Sequence, residues 1–306
     1  MHCPGCFSSN FPGKHRPLPE VLAEIDSVAS GVRTDVLAFA GGDPLCYPSI
    51  VDAVRHAARA GLRPFVNTNG SLLAPALLKA LKSAGLAGVC LHVDSMQDRE
   101  GWKGAGEAEL NSLRERLGRM VRDAGIGSCY FNMTVSRRNL GGAPAVYSWA
   151  LSRPDLADLV LFVAFKTPES VSGPERAALL ESECGAGAVL SALAGAVPGF
   201  RLCAALPSSS SGKDKWFFAV SSGRGRRFHS PAFFSAAQEL SRRWRGRYLG
   251  RLRRLSPFEA LLAAPFFVLR RGVGVSDLAA VFSGVQAAMV VQPETIVWGQ
   301  KPRFFI

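Results

Sequence analysis

Three hundred and six residues, 48% apolar and 20% charged, suffice for one large α/β domain or two ordinary ones and exclude disorder, a collagen-like chain and a disulfide miniprotein. The net charge of +12 is unevenly placed, because residues 1–212 hold 20 Lys and Arg against 19 Asp and Glu, whereas residues 213–306 hold 16 against 5. An electrically ordinary domain is therefore expected ahead of a basic segment that meets something anionic.

The apolar run at 261–269 is too short to cross a bilayer and contains Pro265, and MHCPGCFSSN has neither the basic nor the apolar region of a secretory signal. A chain that spans no membrane, a cytoplasmic location and reduced cysteines are expected.

Helices are predicted over 17–29, 47–60, 71–84, 107–124 and 143–152, and strands over 35–40, 63–68, 88–94, 128–135 and 159–165. Short apolar strands between amphipathic helices mean βαβ units and a parallel sheet covered by helices. The segments GGDP (41–44), NTNG (67–70) and HVDS (92–95) sit where strands end, which is where parallel α/β folds bind ligands.

Beyond residue 168 the alternation stops, leaving a helix over 174–195, a strand over 201–206 and a flexible loop at 208–212. Phe233, Ala237, Leu240, Trp244, Tyr248, Leu252 and Leu255 then recur every three or four residues with arginines in the gaps, which predicts a basic amphipathic helix. An apolar segment at 258–269 follows and ends in Arg270 and Arg271. The expected domains are 1–168 and 169–306.

Cys3 and Cys6 form the one cysteine motif, whereas Cys46, Cys90, Cys129, Cys184 and Cys203 stand alone and read as small core residues. A redox CxxC needs a preceding strand for which residue 3 leaves no room, and a zinc site lacks two further ligands. Period-two alternation sets Phe65, Asn67 and Asn69 on one strand face, Cys90, His92 and Asp94 on the next, and Tyr130, Asn132 and Thr134 on the one after. These put polar groups where a barrel lumen would be.

The order CPGC, GGDP, NTNG resembles the radical S-adenosylmethionine (radical SAM) superfamily over about residues 1–166. The resemblance implies an α/β fold, a partial (β/α)6 TIM-like barrel, here without its first strand. It also implies a [4Fe-4S] cluster with Cys3 and Cys6 among its ligands, and S-adenosylmethionine as the second cofactor. Gly41, Gly42, Asp43 and Pro44 would hold the methionine part, with Asp43 accepting from its ammonium group. Asp94 or Ser95 and Asn132 would touch the cofactor's ribose or methionine part, Asn67 and Asn69 would bind it as well, and His92 would face the substrate cavity. A reductant such as flavodoxin or ferredoxin and a small-molecule or lipid-like substrate complete the expectation.

The family's CxxxCxxC places its first cysteine four positions before Cys3, ahead of Met1. An upstream start, or a chain whose cluster is labile or absent, is expected accordingly. Gly5 stands where the family often has an aromatic residue. With only Cys184 and Cys203 after the barrel, auxiliary clusters and peptide maturation through them are disfavoured. For the basic segment, an anionic membrane surface ranks ahead of a solvated arginine face and of nucleic acid. The rival to an enzyme is a non-catalytic α/β binding module anchored by that segment.

Overall fold

A computed structural model describes residues 15–31, 36–168, 171–207, 215–223, 225, 227–246, 257–268, 273–274, 277 and 285–292. Cys3, Cys6, the loop at 208–212, the arginine helix beyond 246, and Arg270 and Arg271 lie outside the described residues. The chain divides into two compact units, one built from Met1–Asn132, Thr167–Glu181 and Ile296–Ile306, the other from Met133–Lys166 and Ser182–Thr295.

In the first unit, β1 (Val36–Phe39), β2 (Arg63–Thr68), β3 (Gly88–His92) and the opening residues of β4 (Ser128–Val135) pair side by side, all parallel. Helix α1 (Leu18–Gly31) precedes β1, and α2 (Ile50–Arg59), α3 (Pro75–Ser83) and α4 (Leu110–Asp123) make the crossovers. Each helix buries one stripe at helical spacing: Val21, Ile25 and Val28 in α1, Ala53, Val54 and Ala57 in α2, Leu110, Leu113, Leu117 and Val121 in α4. This is the expected α/β architecture with an open, parallel sheet.

Alternation along the strands separates two environments. Val66, Thr68, Val89, Leu91, Cys129 and Phe131 are buried, while Asn67, His92, Tyr130 and Asn132 keep partial or full exposure. Register sets Asn67 opposite Cys90, Cys90 opposite Tyr130 and His92 opposite Asn132, so the polar side chains form two rows across one face. The floor below them is aromatic. Phe65 pairs with Gly88, where an added Cβ would lie 2.2 Å from the Phe65 ring, and the ring meets that of Tyr130 at 5.1 Å. Gly88→Ala should therefore lower the unfolding free energy by about 1–3 kcal/mol in denaturant titration, because the ring has to leave its place.

The second unit contains α5 (Ala143–Ser152), β5 (Leu159–Ala164), α7 (Ala186–Ala196), β6 (Ala204–Pro207), β7 (Lys215–Ser222), β8 (Arg227–Phe228), α8 (Pro231–Arg245), α9 (Pro257–Val268) and β9 (Gln286–Gln292). Strand β9 lies parallel to β5 and antiparallel to β7, which pairs on with β6. The buried Gln286 amide nitrogen donates to the carbonyls of Ala150 and Ala157, fixing where β9 enters. Phe218 of β7 packs on Phe234 of α8 at 5.4 Å, and Phe233 stacks on Phe267 of α9 at 5.5 Å.

The helix expected over 174–195 is two helices. Although 173–196 has the length and composition of a membrane-crossing segment, α6 (Gly173–Glu181) has 9 residues and α7 has 11, with a non-helical break at 182–185. Neither reaches the roughly 20 residues that span a bilayer.

His229 fastens the second unit. Its Nδ1 donates to Asp277 Oδ1 at 2.7 Å, and Nε2 lies 3.0 Å from Ser222 Oγ. Asp277 Oδ2 accepts from Ser230 Oγ and from the Gly274 amide, both at 3.0 Å. Burial alone would raise the Asp277 pKa, but the hydrogen bonds from Gly274, His229 and Ser230 outweigh it and hold the carboxyl below the usual carboxylate range. A depressed folded pKa gives stability that is present above the unfolded value of about 3.9 and lost as pH falls through the folded one. Asp277→Asn should destabilise the chain at neutral pH, by about 1.5–3 kcal/mol in thermal or denaturant unfolding, with the gap to wild type closing in acid.

Candidate active site

Four consecutive loops follow the carboxyl ends of β1 to β4, and hydrogen bonds lock the first three together. Asp43 caps a 3-10 turn at Pro44–Cys46 by accepting from the Leu45 amide at 3.0 Å. The same carboxylate accepts from Thr68 Oγ1 at 2.9 and 2.8 Å and from the Asn69 amide at 2.9 Å. GGDP is thereby joined to NTNG. Gly41, at φ +134°, takes a backbone conformation that a side chain would strain.

Arg99 makes the next link, from the loop after β2 to the loop after β3. Its Nη2 donates to the carbonyls of Asn69 and His92, and its Nε donates to Gln97 Oε1 at 2.8 Å. Asp94 caps the turn Ser95–Gln97 by accepting from the Met96 amide at 3.0 Å, and its other oxygen meets His92 Nε2 at 2.7 Å. The Asp94 side chain is 1% exposed and that of His92 is 35% exposed, so a buried carboxylate orients a ring that reaches the open face.

Behind this turn is a buried ion pair. Ser95 donates to Glu107 Oε1 through both its amide and its hydroxyl, each at 2.8 Å. Glu107 in turn accepts from Arg114, which also donates to the carbonyls of Val93 and Glu107, both at 2.7 Å. Burial pushes the Arg114 pKa down, against Glu107 and Asp94, which favour its charge. Arg99, Glu107 and Arg114 escaped the sequence reading. The available signal was an arginine on the buried stripe of α4, one residue after Leu113 and three before Leu117.

Of the sequence-derived candidates, Gly41, Gly42, Asp43, Pro44, Asn67, Asn69, Asp94, Ser95 and Asn132 all sit at this end of the first unit, and Cys3 and Cys6 lie outside the described residues. Their side chains divide into two groups. Asp43 already accepts from three neighbouring donors, and the Ser95 hydroxyl proton is directed at Glu107. Asn69 accepts from the Ser71 amide at 2.8 Å, which leaves its amide nitrogen as donor. The Asn132 side-chain oxygen is buried with no hydrogen-bond partner among the described residues.

The lone cysteines separate as well. Cys90, Cys129, Cys184 and Cys203 are buried, and burial pushes the Cys90 thiol up to about 12, which keeps it protonated. Cys46 departs from the expected core role. It ends the turn after GGDP, is exposed, and lines a half-open cleft of about 680 Å³ with Asp43, Asn69, Trp102, Arg116 and Leu117.

Residues 1–140 match the radical SAM superfamily. They are a radical SAM domain. An AdoMet-dependent heme synthase of Methanosarcina barkeri (strain Fusaro / DSM 804) is 32% identical over 145 residues, 46% of this chain and 40% of that protein. A GTP 3',8-cyclase of Chlorobaculum tepidum (strain ATCC 49652 / DSM 12025 / NBRC 103806 / TLS) is 33% identical over 102 residues, 33% of this chain and 31% of that one. The chain thus spans well under half the length of these curated relatives. Among solved structures, Streptococcus suis SuiB bound to S-adenosylmethionine aligns with a TM-score of 0.43 at 12% identity, over 57% of this chain and 39% of that one.

Radical SAM proteins use a [4Fe-4S] cluster and S-adenosylmethionine, and the residues at the strand ends suit the latter. Among the described residues, Asn132 offers a buried acceptor that lacks a donor, and a Cβ built on Gly42 meets nothing within 4 Å, so they leave space beside the GGDP backbone. The turn that carries Asp94 and Ser95 rests on the buried ion pair. Glu107→Ala should cost about 3–5 kcal/mol in unfolding, since it strands Arg114 without its partner, and Glu107→Ala with Arg114→Met should cost less than Glu107→Ala alone. Denaturant titration of the two variants checks the order.

Proposed function

We propose that this chain works as a radical SAM enzyme, with the polar face of Asn67, His92 and Asn132 receiving the cofactor and the reacting part of the substrate. The observation that carries this reading is the unpartnered Asn132 oxygen beside three interlocked loops at the carboxyl ends of parallel strands. The chemistry supplied there by bound cofactor is reductive cleavage of S-adenosylmethionine to methionine and a 5'-deoxyadenosyl radical that takes a hydrogen atom from the substrate.

This chain's residues position and enclose. Gly41 and Gly42 bring backbone close to the cofactor's amino-acid end, and Asp43 keeps that loop against β2. Asn132 accepts a hydrogen bond, and Asn69 donates one. Asp94 fixes the His92 ring so that the imidazole takes or returns a proton on the open face. Cys3 and Cys6 supply two thiolates for iron, and a flavodoxin or ferredoxin supplies electrons. A cytoplasmic site of action belongs to the same reading. A heme synthase and a GTP cyclase, named for unlike molecules, both resemble this chain over a third to a half of its length. Such a shared stretch suits common cofactor handling, with substrate choice made elsewhere.

A cysteine added four positions before Cys3 completes the family spacing. After anaerobic reconstitution with iron and sulfide, that protein should hold a cluster and, once reduced, form 5'-deoxyadenosine. Cys6→Ala should abolish the cluster. Gly42→Ala should keep both iron and fold yet weaken S-adenosylmethionine binding about tenfold or more, because the new methyl occupies the open space. His92→Gln should keep 5'-deoxyadenosine formation. Equal iron in the parent and in Cys6→Ala would overturn the assignment.

A further inference from the structure

Seven large apolar side chains stand exposed among the described residues, and five of them, Leu206, Trp216, Trp244, Leu261 and Leu262, belong to β6, β7, α8 and α9. They are not scattered singly, as exposed apolar residues on a soluble surface usually are. Leu206 and Trp216 are directly opposed across the β6–β7 ladder, and Leu261 and Leu262 are adjacent on α9. Residues 204–268, which contain all five, carry 12 Lys and Arg against 3 Asp and Glu.

The inner side of the same elements is a finished core. Phe233, Phe234, Ala236 and Leu240 of α8 pack with Ala263 and Phe267 of α9. Leu261 at 65% and Leu262 at 52% exposure stand outside this core, and Trp244, at 51%, continues the Phe233–Leu240 stripe beyond it. Arg243 lies over the Phe266 ring at 5.7 Å and pairs with Glu239 at 2.7 Å, whereas Arg242 is exposed.

We propose that the β6–β7 edge and the α8–α9 pair form a surface that docks on an anionic lipid bilayer. Tryptophan and leucine enter the headgroup layer, and exposed arginines such as Arg242 and Arg227 meet lipid phosphates. Aliphatic leucine pairs have no counterpart on a nucleic acid, where flat aromatic side chains stack on bases, and a merely solvated arginine face gives no reason for them. The helices are too short to cross the bilayer, so the attachment is peripheral. The proposal is independent of the cofactor chemistry, and its test involves neither iron nor S-adenosylmethionine.

The experiment is co-sedimentation of the whole chain with vesicles of phosphatidylcholine alone and of phosphatidylcholine mixed with phosphatidylglycerol, across a salt series. Binding to the anionic vesicles is expected to weaken with salt and to persist in part. Arg242→Gln and Arg227→Gln should each reduce it about fivefold at low salt. Leu261→Ser with Leu262→Ser should remove the salt-resistant part, a loss of at least about tenfold. Both residues are exposed, so melting followed by circular dichroism should match wild type, and Trp244→Ala gives a second variant with the same expected loss. A folded chain that does not bind anionic vesicles at low salt overturns the proposal. So does tighter retention on single-stranded RNA than on vesicles, with a steep log-log salt dependence, or self-association that buries Trp244 without vesicle binding.

Discussion

The Asp43 carboxylate holds the ends of β1 and β2 in one arrangement, and the candidate site depends on it. A carboxylate offers about four acceptor positions, and here the Leu45 amide, the Asn69 amide and the Thr68 hydroxyl take three of them. Loops at strand ends are otherwise the mobile part of an α/β fold. Anchoring one to the other by charge-assisted hydrogen bonds gives a backbone surface that a ligand can meet without first ordering it, which is the condition for tight and oriented binding. The side chain expected to receive the cofactor's ammonium group is engaged in building the cradle. The Asn132 oxygen, by contrast, has no partner among the described residues.

A second layer of charge continues the same logic from β2 to β3. Arg99 joins two loop carbonyls, and Arg114 with Glu107 holds Ser95 and the Val93 carbonyl from behind. A buried ion pair of this kind adds little net stability, because desolvation offsets most of the attraction. Its effect is geometric. Every donor that Arg114 directs at a carbonyl or carboxylate removes one freedom from the turn that carries Asp94, and Asp94 in turn sets the His92 ring. The order runs from a buried charge to a capped turn to a half-exposed imidazole, each step narrowing the position of the next.

Much of the first unit could be read locally. The bounds of β2, β4 and α5 agree with the periodicity, and the three polar segments do lie at strand ends, because turn residues and apolar spacing are local signals. Helices α2, α3 and α4 start three to four residues later than the apolar pattern does, since capping turns and loops take up those residues. Arg99, Glu107 and Arg114 stayed hidden because a charged residue reads as surface unless its partner is known, and their partners in other loops and strands are 7 to 30 residues away. The open polar face was predictable from alternation, whereas the fact that Asp43 and Asp94 serve their own loops was not, since a sequence shows which acceptors exist and not which donors reach them.

The second unit resisted for a different reason. Strands β7 and β9 lack period-two alternation, and their order β5-β9-β7-β6 joins segments more than a hundred residues apart, so no local pattern announces them. The amphipathic stripe from Phe233 onward was legible, but its meaning was divided. Phe233 and Leu240 are buried against β7 and α9, while Trp244, on the same stripe, is exposed. The helix outruns the core it covers. A stripe that continues past its core leaves apolar area facing water at a cost of about 25 cal/mol per Å², and that area becomes favourable only against a surface that is itself apolar. Periodicity therefore identifies the stripe, while only the packed structure shows where the protein's own core ends and a surface for something else begins.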